Sequence, residues 1–391
     1  MNMRIFFIGQ KGIPSKSGGV EKHVEELSAR LAKQGHEVFV YTRPNYTKPG
    51  LKKYKGVNLI SLPNIATKHL DAISHTFMAC IDVLFRKADV VHFHSIGPSS
   101  LLWIVKILKP GTSVIATFHA RCYFHKKWGV FARSFLKFGE YIVCNWTDRT
   151  ITVSRGLNKY VEDTYNRETA YIPNGVELPE CIQPRLIKKW GLKKNGYVLA
   201  VSRLVRHKGL HTLISAYNQI ETDKKLVIVG GGVFTDDYVV ELKKLAGDNK
   251  NIIFTGQQSG RALKELFTNA HFFVQPSESE GLSIAILEAM SYKKAVLASD
   301  IKENKEAIGK TGIIFKVNDI DSLKRKLQFV LRKPALIQEK GKLGRKRVEK
   351  FYNWADITHE VAAVYRAATA EKYRMHLPDL KLAKRFFSIW F

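Results

Sequence analysis

Two carboxylates, Glu280 and Glu288, stand eight positions apart in the second half of the chain. Carboxylates accept hydrogen bonds from hydroxyl groups, and the backbone amides at the start of a helix bind phosphate. Placed beside a helix N-terminus, the two acids predict a ligand that carries both hydroxyls and phosphate, such as a nucleotide sugar. The alternative is that both are solvated acids that the helix dipole favours near its N-terminus.

The local sequence predicts such a helix N-terminus. Residues 271–275 form an apolar run typical of a buried strand, and Pro276 and Gly281 interrupt it. Ser283 is the predicted N-cap of a helix over residues 284–290. In α/β proteins, ligands bind at the carboxyl ends of the strands, where this loop is expected to lie.

Two cations follow another predicted strand. Residues 198–202 are mainly apolar and lead directly into a segment that contains Arg203 and Lys208. The arginine fork and the lysine point charge are both suited to holding a diphosphate. Two cations and two acids in equivalent strand-end loops of one domain therefore predict a single site.

With these motifs, the chain resembles the family-4 retaining glycosyltransferases (glycosyl transferases group 1), whose GT-B fold has two Rossmann-like domains. The resemblance covers almost the whole chain and includes further motifs in sequence order. These are the glycine-rich loop at 12–21, VVHFHS at 90–95, TFHA at 117–120, YIPNGVE at 171–177 and SRLV at 202–205 followed by KG. The resemblance implies an α/β protein whose two domains face a central cleft and whose C-terminal helix crosses back to the first domain.

The residues and the resemblance together predict a site. The predicted catalytic residues are His119, Arg203, Lys208 and Glu280. The predicted donor-binding residues are Gly18, Gly19, Gly230, Gly231, Gln257, Gly281, Leu282, Ser283 and Glu288. Glu288 is expected to hold the ribose hydroxyls and Glu280 to orient the sugar, whereas the glycines let the backbone approach the ligand closely.

His119 follows the apolar strand predicted over residues 113–118 and begins an aromatic, basic loop. A lone histidine is usually structural. Here its position at a strand end and the equivalent histidine of the family favour hydrogen bonding to the donor sugar or stabilisation of the transition state. The loop behind it is the predicted acceptor surface, formed by Arg121, Tyr123, His125 and Lys126.

No metal or other cofactor is expected. His92 and His94 have the spacing that places both on one face of a strand, and they could bind a metal, but no third ligand is apparent near them. Arg203 and Lys208 are expected to stabilise the leaving nucleoside diphosphate instead. The family implies retention at the sugar. Because no carboxylate nucleophile is apparent, we expect front-face attack with the departing phosphate acting as base.

The chain of 391 residues exceeds the usual limit of a single core, and strand-length and helix-length segments alternate twice along it. We expect an acceptor-side domain over 1–178, a nucleotide-sugar domain over 179–355, and a crossover helix with a basic-aromatic tail over 356–391. Asn174 and Gly175 form the predicted hinge. The predicted strands are 4–9, 37–42, 57–62, 90–93, 114–118, 150–153, 197–202, 225–229, 251–255, 271–275, 295–298 and 312–315.

The net charge of +28 favours an anionic partner. Nucleic acid is disfavoured, because no helix-turn-helix, zinc-finger or RNP pattern is present. An anionic membrane surface is favoured by residues 380–391, which mix cations with aromatics as interfacial segments do, although this tail could pack on the protein itself. The four scattered cysteines indicate a reducing compartment. We expect a cytoplasmic protein, peripheral at the inner face of the cell membrane, and the oligomeric state stays open.

These features predict transfer of a sugar from a nucleotide sugar to a lipid-linked or polysaccharide acceptor of the cell envelope. Two other functions stay open. One is a nucleotide-sugar enzyme of the two-Rossmann epimerase type, which shares the nucleotide but transfers nothing. The other is a basic protein that binds nucleic acid or lipid headgroups through its charge alone.

Overall fold

The computed structural model describes residues 2–16, 18–67, 70–124, 129–232 and 236–376. Its strands form two sheets, one from each half of the chain. The strands of the first are β1 Arg4–Ile8, β2 Glu37–Thr42, β3 Lys53–Tyr54, β4 Val57–Ser61, β5 Val90–His94, β6 Ser113–Phe118, β7 Arg149–Thr152 and β8 Ala170–Tyr171. The strands of the second are β9 Tyr197–Val201, β10 Lys225–Val229, β11 Ile252–Gly256, β12 Phe272–Gln275, β13 Val296–Ser299 and β14 Ile313–Phe315.

Helices connect the strands, as expected for parallel sheets. Those of the first half are α1 Gly19–Lys33, α2 Asp71–Leu84, α3 Ile96–Ser99, α4 Leu102–Leu108, α5 Val130–Asn145 and α6 Arg155–Tyr165. Those of the second half are α7 Leu210–Tyr217, α8 Asp236–Ala246, α9 Gly260–Asn269, α10 Ile284–Ser291 and α11 Lys302–Ile308. The last three helices are α12 Ile320–Leu331, α13 Pro334–Phe351 and α14 Trp354–His376. Within the described ranges no helix is both long enough and apolar enough to cross a bilayer.

The first sheet has the strand order β3-β4-β2-β1-β5-β6-β7-β8, and every pairing except that of β3 with β4 is parallel. Helices cover both faces, so the central strands are apolar on both sides. Phe6 and Val91 pack with residues of α2, α4 and α5. Ile5 and Val90 belong to a second core with residues of α1 and α14.

The second sheet has the strand order β11-β10-β9-β12-β13-β14, and all its pairings are parallel. Val198 and Phe272 pack in a core with residues of α7, α8 and α12. Leu199 and Phe273 belong to the core that contains residues of α9 and α10. The second half is thus also a Rossmann-like unit with helices on both faces.

In each sheet, successive strands are first added on one side of the first strand and then on its other side. β1 lies between β2 and β5, and β9 lies between β10 and β12. A crevice forms at the carboxyl ends of the strands at such a point, and ligands of α/β proteins bind there. The loops after β1, β9 and β12 contain Gly18, Arg203 and Glu280, respectively. Topology alone therefore places three predicted site loops at ligand-binding edges.

Helix α14 packs on the first sheet although it follows the second sheet in the chain. Val361 and Tyr365 are buried in the same core as Ile5. The Tyr365 hydroxyl lies 2.6 Å from Nδ1 of His92, a residue of β5. The predicted return of the chain to the first domain is confirmed.

The predicted fold class, two Rossmann-like domains around a cleft, is confirmed, and every predicted strand is present to within one or two residues. The two-residue strands β3 and β8 were not predicted, because segments this short carry no periodicity. The domain division after residues 178 and 355 stays a prediction. Residues 380–391 of the predicted interfacial tail lie outside the described residues.

Candidate active site

A cavity of about 490 Å³ lies between the two domains. Its volume is in the range of small-molecule sites. Every predicted catalytic and donor-binding residue lines it, although these residues come from widely separated loops of both domains. Asn174 and Gly175, the predicted hinge, line it as well. The constellation predicted from sequence is therefore assembled at one place.

Lys208 and Glu280 form an ion pair across two neighbouring loops. Lys208 Nζ lies 2.6 Å from Glu280 Oε1, and the two side chains are only 14% and 8% exposed. Ser277 Oγ and Gln275 Nε2 also donate to Oε1, at 2.6 and 2.8 Å. Burial alone would raise the pKa of Glu280, but Lys208 and the two hydrogen bonds hold the pKa below its ordinary value. Glu280 is therefore a carboxylate at neutral pH.

The loop after β9 can approach the loop after β12 because of Gly209. This glycine has a φ of +67°, and a Cβ there would lie 2.0 Å from the carbonyl oxygen of Pro276. The amide of Glu278 donates to the carbonyl of His207 at 2.8 Å, which joins the same two loops. Only glycine combines this conformation with this contact. Lys208, one residue earlier, is held against Glu280 as a result.

Glu288 is the fifth of the eight residues of α10 and lies on the cavity wall. Ser283 caps this helix, since its side chain accepts a hydrogen bond from the amide of Ile286. Burial raises the pKa of Glu288 to about 7, Lys22 opposes the rise, and Glu177 and Glu26 add to it. Among the described residues, no side chain donates a hydrogen bond to the Glu288 carboxylate. A carboxylate in this position can accept hydrogen bonds from ligand hydroxyls.

Arg203 is exposed on the cavity wall directly after β9 and has no ion-pair partner among the described residues. Gly230 follows the neighbouring strand β10, and a Cβ there would lie 1.8 Å from the carbonyl oxygen of Ser202. The amide of Leu204 donates to the carbonyl of Gly231 at 2.9 Å. The glycines thus allow the two strand-end loops to pack together beside the free guanidinium.

The two domains meet at Gly281. A Cβ on this residue would lie 1.7 Å from the carbonyl oxygen of His119, so the backbone of the first domain contacts the loop after β12 in the second. Next to this contact, Asn174 Nδ2 donates to the carbonyl oxygen of Leu282 at 3.2 Å. The predicted hinge residue therefore also joins the two walls of the cavity.

The glycine-rich loop after β1 completes the opposite wall. Gly18 is the N-cap of α1 and has a φ of +100°. A Cβ on Gly19 would lie 3.4 Å from the side chain of Ile284, the first residue of α10. Gln257 reaches across the cleft, where its amide donates to the carbonyl oxygen of Lys16. Gln257, one of the predicted donor-binding residues, lines the cavity. Its contact with the glycine-rich loop joins the two walls of the cavity, and its role in donor binding stays a prediction.

His119 is buried against two further histidines. Its Nε2 lies 3.1 Å from Nδ1 of His94, and the ring of His23 packs edge-on to it with centroids 5.1 Å apart. Burial lowers the pKa of His94 and of His119 well below the ordinary value, and the neighbouring histidines lower both further. Burial lowers the pKa of His23 to about 4. All three imidazoles are therefore neutral at neutral pH.

The pair His92 and His94 does lie on one side of β5, with ring centroids 4.2 Å apart. His92, however, uses both ring nitrogens inside the protein, because Nδ1 contacts the Tyr365 hydroxyl and Nε2 contacts the Thr117 hydroxyl. The group that could hold a metal is instead His23, His94 and His119, whose candidate ligand nitrogens lie within 4.8 Å of one another. The hydrogen bond between His94 and His119 already engages one nitrogen of each ring.

Two of the predicted acceptor residues, Arg121 and Tyr123, do not line the cavity. Tyr123 is buried, and its hydroxyl lies 3.3 Å from that of Tyr160 and 3.5 Å from Glu140. Arg121 stacks over the ring of Tyr160 at 4.4 Å. The neighbouring Ala120 and Cys122 line the cavity instead. His125 and Lys126 lie outside the described residues.

Sequence reasoning missed two residues of this site, Lys22 and His23. Lys22 lines the cavity and faces Glu288. Burial alone would lower the pKa of Lys22, but the neighbouring Glu26 raises it. His23 contacts His119. Both follow directly on the glycine-rich loop at the start of α1, and this position was the available signal.

Two family models match the chain in succession. Residues 17–180 match the model described as Glycosyltransferase Family 4, and residues 182–347 match the model described as Glycosyl transferases group 1. The chain belongs to the family-4 glycosyltransferases. The predicted enzyme class is thereby confirmed.

Curated relatives of this glycosyltransferase include a glycogen synthase of Mycobacterium tuberculosis, which is 26% identical over 407 residues and covers 94% of this chain and 95% of its own. An alpha-monoglucosyldiacylglycerol synthase of Streptococcus pneumoniae is 26% identical over 317 residues, with 76% of this chain and 71% of its own covered. Among solved structures, an Anabaena protein in complex with UDP-glucose has a TM-score of 0.78 at 16% identity, covering 94% of this glycosyltransferase and 100% of that chain.

Proposed function

We propose that this glycosyltransferase moves a sugar from a nucleotide-sugar donor to a lipid-linked or polysaccharide acceptor, with retention of configuration at the sugar. One observation carries the proposal: a single cavity between the domains is lined by all the residues predicted to act on such a donor. Two comparisons support it. The Anabaena structure was solved with UDP-glucose, and the Streptococcus pneumoniae relative is named as a synthase of a glucosylated diacylglycerol.

In this proposal the donor lies across the carboxyl ends of β9 and β12. The diphosphate lies against Arg203 and Lys208, and the start of α10 adds its backbone amides. The ribose hydroxyls donate to the Glu288 carboxylate. Glu280 is oriented by Lys208 through the contact at 2.6 Å and orients the donor sugar in turn. Its ionised state supports this role, because a carboxylate accepts hydrogen bonds from sugar hydroxyls.

Catalysis then depends on stabilising the leaving group. When the bond between the anomeric carbon and the phosphate oxygen breaks, negative charge grows on the nucleoside diphosphate and positive charge grows on the sugar. Arg203 is exposed to the cavity and has no ion-pair partner among the described residues, so its charge is available to the leaving diphosphate. Fixed charges placed where charge develops lower the barrier without reorganisation.

His119 acts next to the sugar. It is neutral and is held by His94, so it can donate or accept a hydrogen bond at a sugar hydroxyl without adding a net charge. In a front-face reaction, the acceptor oxygen bonds to the anomeric carbon on the side from which the diphosphate leaves. The acceptor proton passes to a departing phosphate oxygen. The products are the glycosylated acceptor and the nucleoside diphosphate, and no protein group changes its charge.

Two measurements test this function. Thermal unfolding with UDP-, GDP-, ADP- and dTDP-sugars identifies the donor, because a ligand bound only by the native state raises the melting temperature. Labelled donor then reports transfer to membranes or saccharides, and the anomeric configuration of the product reports retention. Interconversion of the free nucleotide sugar without an acceptor would favour the epimerase alternative. Stabilisation by none of the donors would contradict the proposal.

We also propose that the enzyme works at the inner face of the cell membrane as a peripheral protein. The net charge of +28 supports this location, because the cytoplasmic leaflet is anionic. A lipid-linked acceptor would be reached there. Fractionation of cell extracts tests it: the protein is expected in the membrane pellet at low salt and in the supernatant after a high-salt wash.

A further inference from the structure

Three neighbouring helices of the first half, α2, α4 and α5, expose large apolar side chains on the side away from the sheet. Ten of the 22 large apolar side chains exposed in the described part of the chain lie on these helices or directly after α2. α2 contacts α4 and α4 contacts α5, so the three form one surface. We call it the apolar face and define it by Phe77, Phe85, Trp103, Ile107, Val130 and Phe131.

The exposure is not a consequence of missing core contacts. The same helices bury a different set of apolar residues against the sheet, including Val83, Leu102 and Leu136. Each helix is therefore apolar on two sides, although a helix that covers a sheet needs only one. Phe85 and Phe131 are each 86% exposed. A large apolar patch of this kind marks a surface that binds a partner or a membrane.

The charges beside the apolar face favour an anionic partner. These helices contain three acids, and each is engaged within the protein. Asp71 pairs with Arg43 at 2.6 Å, Asp82 pairs with Arg86, and Glu140 is buried and accepts from tyrosine hydroxyls. The exposed cations on or beside the helices are Lys87, Arg133 and Lys137. Apolar side chains beside cations, with few free acids, suit the interface of an anionic bilayer.

The apolar face adjoins the first-domain wall of the cavity. α5 contacts the helical turn Cys122–Phe124, and Cys122 lines the cavity. Val130 and Phe131, at the start of α5, are 81% and 86% exposed. These exposed apolar residues therefore lie on a helix that contacts the cavity wall. An acceptor held in a membrane would approach the cavity from this side.

We propose that the apolar face docks on an anionic lipid bilayer and brings the cavity to an acceptor that is anchored in that bilayer. This inference rests on the proposed function, and it names both the membrane-binding surface and the acceptor class. The apolar side chains enter the headgroup region, and Lys87, Arg133 and Lys137 contact lipid phosphates. A second copy of the chain is the competing occupant, and the experiment distinguishes the two.

The test uses the full chain and vesicles of phosphatidylcholine, with or without phosphatidylglycerol. Wild type is expected to co-sediment with the anionic vesicles. The variants Phe85→Glu and Val130→Glu/Phe131→Glu are expected to bind them about tenfold more weakly or worse. Val240→Glu and Phe351→Glu change side chains that are 65% and 50% exposed on helices of the second half, and they are expected to bind like wild type. Melting curves verify that each variant is folded.

Three results would overturn the inference. One is vesicle binding by the apolar-face variants that equals wild type. Another is loss of binding on deletion of residues 377–391 alone while the apolar-face variants still bind, which would assign binding to the tail. A third is conversion of a dimer to a monomer by the variants with no change in vesicle binding. The variants are expected to keep donor-induced thermal stabilisation, so failure of the membrane inference is distinguishable from failure of the proposed function.

Discussion

The Nζ of Lys208 lies 2.6 Å from Oε1 of Glu280, and the two residues belong to loops that leave different strands of the second sheet. This pair is shielded from solvent, so neither charge can be removed without leaving the other unpaired. It joins a cation expected to hold the diphosphate to an acid expected to orient the sugar. In the proposed function, the two halves of the donor are therefore recognised by groups whose positions depend on each other.

Breaking this pair is expected to cost stability as well as activity. Lys208→Met and Glu280→Gln should each lower the free energy of unfolding by about 3–5 kcal/mol, because each leaves a buried charge without its partner. The double variant should lose less than the sum of the two. Urea unfolding of all four proteins measures the coupling. The exposed pair Arg206 and Glu241 is the control, and Glu241→Gln is expected to cost less than about 1 kcal/mol.

Glu280 also predicts a dependence of stability on acid. Burial would raise its pKa, but the interactions with Lys208, Ser277 and Gln275 lower it below its ordinary value. Ionisation is thus favoured in the folded state, and the stabilisation is present above the ordinary pKa and is lost as the pH falls through the lower folded value. Melting temperatures measured over the acid range should fall less steeply for Glu280→Gln than for wild type. Equal slopes would contradict the ionised state assigned to Glu280.

Donor binding is expected to weaken below neutral pH because of Glu288. Burial raises its pKa to about 7, so the carboxylate that is proposed to accept ribose hydroxyls is present above that pH and is protonated below it. Calorimetric titration with the nucleotide sugar should give a tighter Kd at about pH 8 than at about pH 6. Glu288→Gln should bind weakly at both pH values and show little difference between them. A pH dependence that persists in this variant would assign the titration to another group.

His94 is expected to position His119 for the reaction. Its Nδ1 contacts Nε2 of His119 at 3.1 Å, and it does not line the cavity. His94→Leu should lower kcat by about tenfold or more with a smaller change in KM, because His119 loses the hydrogen bond that fixes its ring. His94→Gln, which retains polar atoms, should recover part of the loss. Tyr365→Phe is the control: it removes a partner of His92 and should lower the melting temperature without this effect on kcat.

Removal of metal ions is expected to leave transfer intact. His23, His94 and His119 are close enough to hold an ion, but the contact between His94 and His119 is a hydrogen bond between neutral rings. Activity after treatment with a chelator should equal that of the untreated enzyme, and elemental analysis should find no stoichiometric zinc. Activity that disappears with the chelator and returns with zinc would assign a metal to this cluster.

Gly281→Ala tests the contact between the domains. The added Cβ would lie 1.7 Å from the carbonyl oxygen of His119, so the two walls of the cavity must separate. We expect loss of most activity and a lower melting temperature. Gly111→Ala is the matched control, because no atom lies within 4 Å of its ideal Cβ position and its φ is not positive. An active Gly281→Ala enzyme would show that the closed contact is not needed for transfer.

Much of this architecture could be predicted from sequence, and the reasons are local. The strands of parallel sheets are continuous apolar runs, so their positions were evident, and the Ser283 cap followed from a serine directly before an apolar helix. The fold then required the strand-end loops to lie at one edge. The residues in those loops, Arg203 and Glu280 among them, had to lie near one another.

The parts that were not predicted depend on contacts between distant segments. The burial of Tyr123 follows from a cluster with Glu140 and two other tyrosines, which no local pattern indicates. The contact of His23 with His119 joins α1 to the end of β6, about a hundred residues apart in the chain. The pKa of Glu288 is raised by burial and lowered by Lys22, which belongs to the other domain. Each of these needs the three-dimensional arrangement before it can be stated.

The return of α14 to the first sheet makes the second domain an insertion within the first. The amide of Val176 donates to the carbonyl oxygen of Tyr352 at 2.8 Å. The two ends of the inserted segment therefore lie side by side. Val361 and Tyr365 belong to the core that contains Ile5. During synthesis, the inserted domain can therefore fold as soon as it has left the ribosome, whereas the first domain waits for the last helix before its core is complete.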